Sequence, residues 1–172
     1  MQNIPSVDLR DFLSDDPKRK QKFVNEIGNA FEEIGFVALK GHFLDNQLVE
    51  ELYGEIRNFF SLPLETKHSY EIPGIGGQRG YVSFGKEHAK GRKEGDLKEF
   101  WHFGQYVEKD SKYASEYPEN VEVKELPRFN VVGKEAYQML EKTGVYVLRA
   151  LALHLGLDEF YFDNYAKEGN SI

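Results

Sequence analysis

Cysteine is absent from the 172 residues, which removes disulfides, thiolate nucleophiles and Cys-ligated zinc from consideration. Tryptophan occurs once and methionine twice, so the large apolar side chains are mostly Phe, at 13, and Tyr, at 10. No apolar run approaches the roughly 20 residues of a membrane-spanning helix. The start, Met1-Gln2-Asn3-Ile4-Pro5, lacks the basic and apolar regions of a signal peptide, and a soluble cytoplasmic protein is expected. Positive charge is in deficit: 22 Lys and Arg against 29 Asp and Glu give a net charge of −7. Such a surface repels phosphate backbones and anionic lipid heads, so neither nucleic acid nor membrane is expected as a partner. The densest basic cluster, Lys18-Arg19-Lys20, opens an amphipathic pattern and reads as a solvated first turn. With 40% hydrophobic and 14% aromatic residues the chain can still build a core, so disorder is not expected. Neither repeats nor low-complexity linkers interrupt it, and residues 1–172 read as one unit.

The pattern predicts a helix-dominated α+β chain with two or three short strands. Ile4 to Leu9 reads as extended, because Pro5 disfavours helix at the residue before it. Asp16-Pro17 then supplies an N-cap and a proline in the first turn. The stripe Phe23, Ile27, Ala30, Phe31 and Ile34 follows at helical spacing, and Gly35 suits the left-handed position after it. Phe36 to Leu39 reads as a short buried strand. Asp45 caps a second helix with the stripe Leu48, Val49, Leu52, Tyr53, Ile56, Phe59 and Phe60, and Pro63 stops it. A long final helix carries Val132, Ala136, Met139, Leu140, Thr143, Val147, Leu151 and Leu155, closed by Gly156. Asp158 caps a last short helix ending near Gly169.

Between the helices lie the candidate sites. Gly74 to Gly80 forms a turn rich in glycine. It lacks the Gly-Lys-Ser/Thr ending of a phosphate loop, and Arg79 stands where a dinucleotide fingerprint starting at Gly74 needs its third glycine. Leu97 to Phe103 alternates as a strand. One face carries Leu97, Trp101 and Phe103 and suits the core; the other carries Lys98, Phe100 and His102 and suits a pocket wall. A half-exposed edge accounts for Phe100 and His102 equally well. The alternation also puts Glu99 and His102 on opposite faces, so Glu99-Phe100-Trp101-His102 makes a poor metal site. Glu94, Asp96 and Glu99 sit in a lysine-rich run and read as a solvated face. His42 and His154 have no sequence partner for catalysis and read as structural.

Several segments, in order across nearly the whole chain, resemble the N-terminal region of the isopenicillin N synthase-like non-haem iron(II), 2-oxoglutarate-dependent oxygenases. They are Ile4-Pro5-Ser6-Val7-Asp8-Leu9 with Ile34 to His42, then Phe59-Phe60-Ser61-Leu62-Pro63-Leu64-Glu65-Thr66-Lys67. Arg79-Gly80-Tyr81 with Asp96-Leu97-Lys98-Glu99-Phe100-Trp101 follows, and Leu151 to Leu157 comes last. The resemblance implies helices around a double-stranded β-helix (jelly-roll) core, ferrous iron held by two His and a carboxylate, and 2-oxoglutarate as co-substrate. It also implies that Arg79, Tyr81, Phe100 and His102 face a small-molecule substrate. The family takes its iron ligands from His-x-Asp and a distant His, and grips 2-oxoglutarate with Arg-x-Ser. Here the residues two places after the five histidines are Leu44, Tyr70, Lys90, Gly104 and Gly156, and no Arg is followed two places on by Ser. The expectation is therefore a helix-rich portion without the catalytic core, binding neither Fe(II) nor 2-oxoglutarate alone and inactive by itself. Its helix stripes would need a β-core to cover them, so an isolated chain should self-associate. The rival reading is a stand-alone, non-catalytic binding or interaction module.

Overall fold

A computed structural model describes residues 3–91, 94–166 and 169. The outermost N-terminal residues, and the tail beyond Gly169, lie outside the described residues. The elements run β1 (Ser6–Asp8), α1 (Leu9–Phe12), α2 (Pro17–Glu33), β2 (Ala38–Lys40), α3 (Asn46–Phe60) and α4 (Leu64–His68). They continue with β3 (Gly80–Val82), β4 (Phe100–His102), α5 (Pro127–His154) and α6 (Asp163–Ala166). Among the described residues this is α+β, with four three-residue strands in two separate pairs where two or three strands were expected. No helix of the described residues is long and apolar enough to cross a membrane. The chain divides into two compact units, one built from Met1–Asp45 and Gln138–Lys167, the other chiefly from Asn46–Tyr137.

In the first unit β1 and β2 pair in parallel, with Val7 opposite Leu39. The Asp16 carboxylate accepts from Lys18 N at 2.9 Å and Pro17 follows in the first turn, as the sequence predicts. Gly35, with φ 81°, ends α2, its N–H donating to Ala30 O at 3.0 Å. The core joins Val7, Leu9, Phe12, Phe23, Val24, Ile27 and Ala150, with Tyr146 and Leu153 packed against it. Several expectations need correction. Phe31 is 40% exposed, and Val24 and Gly28 are buried instead. The strand is Ala38–Lys40 and not the buried run Phe36 to Leu39; Phe36 is 68% exposed. In a pair of two strands only alternate residues meet the core, so Leu39 turns inward opposite Val7 while its neighbours face out. Leu140 and Leu155 of the predicted α5 stripe are likewise exposed, whereas Val132, Ala136 and Thr143 are buried. Asp158 accepts from Phe160 N at 2.9 Å and so caps a turn; the helix beyond it is Asp163–Ala166. The expected run to Gly169 falls partly on residues outside those described.

In the second unit Pro63 ends α3 and also N-caps α4, a helix that the proline disguised as a plain stop. β3 and β4 pair antiparallel, with Gly80 opposite His102, Tyr81 opposite Trp101 and Val82 opposite Phe100. Their inner face lies on a cluster of Phe59, Tyr70, Tyr81, Val123 and Phe129, joined by Trp101 and Phe103. The strand is shorter than the predicted Leu97 to Phe103, and Leu97 is 92% exposed. Pairing begins only at Phe100, so the alternation that should have turned Leu97 inward is not yet enforced.

Two glycines test the packing from opposite sides. A Cβ at Gly28 would stand 2.2 Å from the His154 ring, whereas one at Gly54, within α3, meets nothing within 4 Å. Gly54→Ala should raise stability by about 0.5–1 kcal/mol through helix propensity. Gly28→Ala should lower it by about 1–3 kcal/mol through overpacking. Denaturant unfolding of both variants measures the two signs.

Candidate functional site

The second unit carries a cleft of about 680 Å³, lined in part by Glu71, Tyr81, Val82, Phe100 and His102 and by the glycine turn. Its floor is set by strand alternation. Trp101 turns toward Phe59 and Phe129, at ring-centroid distances of 4.7 and 5.2 Å, so Phe100 and His102 turn the other way into the cleft. Their rings lie 4.7 Å apart. The glycine turn forms the opposite wall: Gly74, Gly76, Gly77 and Gly80 all take positive φ, which side-chain-bearing residues rarely adopt. His102 ties the two walls together, its Nδ1 lying 2.7 Å from Gly77 O.

Of the four residues singled out from the sequence, the structure turns Phe100 and His102 into this cleft; Tyr81 borders it but is 1% exposed, its ring on the inner face opposite Trp101. Arg79 is not among its lining residues. It is fully buried, with Nη1 donating to Gln78 O at 2.7 Å and its guanidinium filling the space where Gly104 has no Cβ. Burial pulls the Arg79 guanidinium below its ordinary pKa, against the opposing pull of the Tyr137 and Tyr106 hydroxyls. The Tyr106 hydroxyl is itself pushed up to about 12 by burial, with nearby Glu122 adding to the shift.

Behind the cleft lies a polar group around Glu99, a residue that the sequence reading placed in solvent. Lys67 Nζ is 2.8 Å from Glu99 Oε2 and 3.3 Å from Phe60 O, and the Tyr81 hydroxyl donates to the same carboxylate. The Lys67 and Glu99 side chains are only 8% and 18% exposed. Burial alone would raise the Glu99 carboxyl, but the Lys67 ammonium and the Tyr81 hydroxyl hold it below its ordinary value. Tyr81 is driven the other way, above the usual phenol range, first by burial and then by that carboxylate. Glu99 therefore does not belong to the solvated run, where Glu94 is exposed and Asp96 pairs with exposed Lys98. The signal was present in the alternation itself: Glu99 shares the inward face of Trp101, and a carboxylate there requires a buried cation. Lys67, 32 positions away, carries no mark in the sequence that it is the partner.

On the carboxylate side of the cleft, Glu71 accepts from Ser83 N at 3.0 Å and faces His68 at 3.5 Å and Lys86 at 3.7 Å. Among the described residues no group of three or more His, Asp or Glu converges to hold a metal ion, so they do not fit an iron centre. The Phe100 and His102 rings and the paired charges of Glu71 and Lys86 surround a concave space.

A helix-rich α+β fold carries this cleft. The family described as non-haem dioxygenase in morphine synthesis N-terminal matches residues 4–125, and the chain belongs to it. A 1-aminocyclopropane-1-carboxylate oxidase of Dictyostelium mucoroides is 27% identical over 96% of this chain and 46% of its own length. Among solved structures, one assigned to the 2OG-Fe(II) oxygenase family from Caulobacter crescentus is 34% identical, with TM-score 0.85, covering 99% of this chain and 54% of that one. A full-length Neurospora crassa protein in complex with alpha-KG and thymine is 25% identical, with TM-score 0.74, over 93% and 50% of the two chains. The chain spans about half the length of the curated relatives it matches, 46% of one and 53% of a proline hydroxylase from Petromyces alliaceus.

The Lys67–Glu99 pair generates a prediction. Lys67→Met should cost about 3–5 kcal/mol, because it strands a buried carboxylate, and Lys67→Met/Glu99→Gln should recover much of that loss. The sign with pH follows from the depressed Glu99 carboxyl. Its contribution is complete above the ordinary 4.5 and fades as pH falls through the lower folded value. Denaturant melts between neutral and acid pH should show the wild-type advantage over the double variant shrinking only on the acid side.

Proposed function

We propose that this chain forms the N-terminal, substrate-side part of an iron(II)- and 2-oxoglutarate-dependent oxygenase that oxidises a small organic molecule. The observation that carries this reading is the family match over residues 4–125, within which the cleft residues Tyr81, Phe100 and His102 all fall. The 2OG-Fe(II) oxygenase family structure from Caulobacter crescentus and the Neurospora crassa structure in complex with alpha-KG support the cofactor pair. Iron and 2-oxoglutarate would be held by residues outside this sequence, since it offers neither His-x-carboxylate nor Arg-x-Ser. The chain's own part is to shape and wall the substrate space, and alone it is catalytically silent. Arg79 serves this wall from behind, as packing on Gly104 and not as a substrate contact.

Anaerobic titration of the chain with Fe(II), followed by desalting and metal analysis, tests the division of roles. Iron should be lost on desalting; retention of one iron per chain would overturn it.

In an intact enzyme containing this chain, Phe100→Ala and His102→Ala should each lower kcat/KM by roughly tenfold, the scale of one aromatic or polar contact, with iron occupancy unchanged. Trp101→Ala should instead destabilise the fold by about 3–5 kcal/mol. Equal destabilisation by all three, with kinetics intact, would place Phe100 and His102 in a structural role.

A further inference from the structure

We propose that His102 is a fixed hydrogen-bond acceptor in the cleft, set in that role by the backbone of Gly77, and that the cleft selects planar, uncharged ligands carrying an N–H or O–H donor. This deepens the reading of the cleft as a substrate wall and rests on it. A carbonyl oxygen can only accept, so the 2.7 Å contact between His102 Nδ1 and Gly77 O requires the proton on Nδ1. The neutral ring then keeps its lone pair on Nε2, which meets no hydrogen-bond partner among the described residues. Beside it the Phe100 ring, 4.7 Å away, offers an apolar face to a flat ligand.

The charges around the cleft argue against an ionic ligand. Glu71 is answered by Ser83 N, His68 and Lys86, and Glu87 by Lys98, so neither sign is left in excess to hold a counter-ion. Arg79, the strongest cation nearby in sequence, is buried away from the lining.

Gly77 is the positioning residue. Its φ of 74° lies in the left-handed region, and a Cβ there would stand 2.8 Å from Val82 Cγ2. A side chain at this position is opposed both by the backbone and by Val82, so alanine must shift the turn and carry the carbonyl away from His102.

The test uses the full 172-residue chain and long-range ¹⁵N–¹H NMR of its histidines, with phenol and its methyl ether anisole, which lacks the donor, as probes. Wild type should show His102 in the Nδ1–H form, and Gly77→Ala should lose that form. Phenol should shift the His102 Nε2 signal and bind roughly fivefold tighter than anisole, the worth of one hydrogen bond. His102→Gln, which can still donate to Gly77 O and accept from the ligand, should keep the preference, and His102→Phe should abolish it. These two variants decide the matter even where Gly77→Ala fails to fold. An Nε2–H ring in wild type overturns the proposal. An Nδ1–H ring with equal phenol and anisole binding in the cleft overturns the acceptor role and leaves the cleft a ligand site. Absence of any probe from the cleft overturns both.

Discussion

Phe59 must disappear completely from water for the second unit to hold together. Its ring is fully buried among those of Phe60, Tyr70, Tyr81, Trp101 and Phe129. Aromatic pairs in this distance range contribute roughly 0.5–1.5 kcal/mol beyond the area they bury. The helix that carries Phe59, the β3–β4 pair and the start of α5 are all fixed by one residue's surroundings. Two strands of three residues have little stability alone, so the register of β3 against β4 is imposed from this inner face. Whatever the inner face fixes, the outer face inherits, and the outer face is the cleft.

The same constraint explains why a charge pair sits behind an aromatic cluster. Glu99 precedes Phe100 and, by alternation, must share the inward side with Trp101. A lone carboxylate there would be costly, and Lys67 on α4 answers it while its ammonium lies 5.6 Å from the Tyr81 ring centre. Against an apolar pair of the same shape such an ion pair adds little stability; its loss on one side only is what is expensive. The arrangement therefore penalises misplacement of β4 more than it strengthens the correct fold.

Much of this could be read from the residues, and the failures have physical causes. The N-cap at Asp16, the left-handed Gly35 and the helices α2, α3 and α5 are local features, decided within a few positions, and they stand where the sequence put them. The outward placement of Phe100 and His102 followed from period-two alternation alone. Leu97 failed by the same rule, because alternation holds only where a partner strand enforces it. α4 was hidden behind Pro63, since a proline that ends one helix can equally open the next. Gly80-Tyr81-Val82 offered no pattern, being buried on both faces and only three residues long. Lys67–Glu99 depends on a fold-level meeting of residues that no local pattern records.

A one-residue slip in β4 would exchange its faces, carrying Trp101 into the cleft and Phe100 with His102 into the core. Three contacts of different chemistry oppose that slip. Trp101 is held against Phe59 by packing, Glu99 against Lys67 by charge, and His102 against Gly77 O by a hydrogen bond. The first two act from the inner side and the third from the cleft. A slip would break all three together, exposing an indole, stranding a buried ammonium and leaving a backbone carbonyl without its donor. The three fail as a unit, which is how a short strand at the edge of a small core can hold two side chains to a fixed direction. Groups held in this way stand already ordered at the cleft, which distinguishes this wall from one carried on a mobile loop.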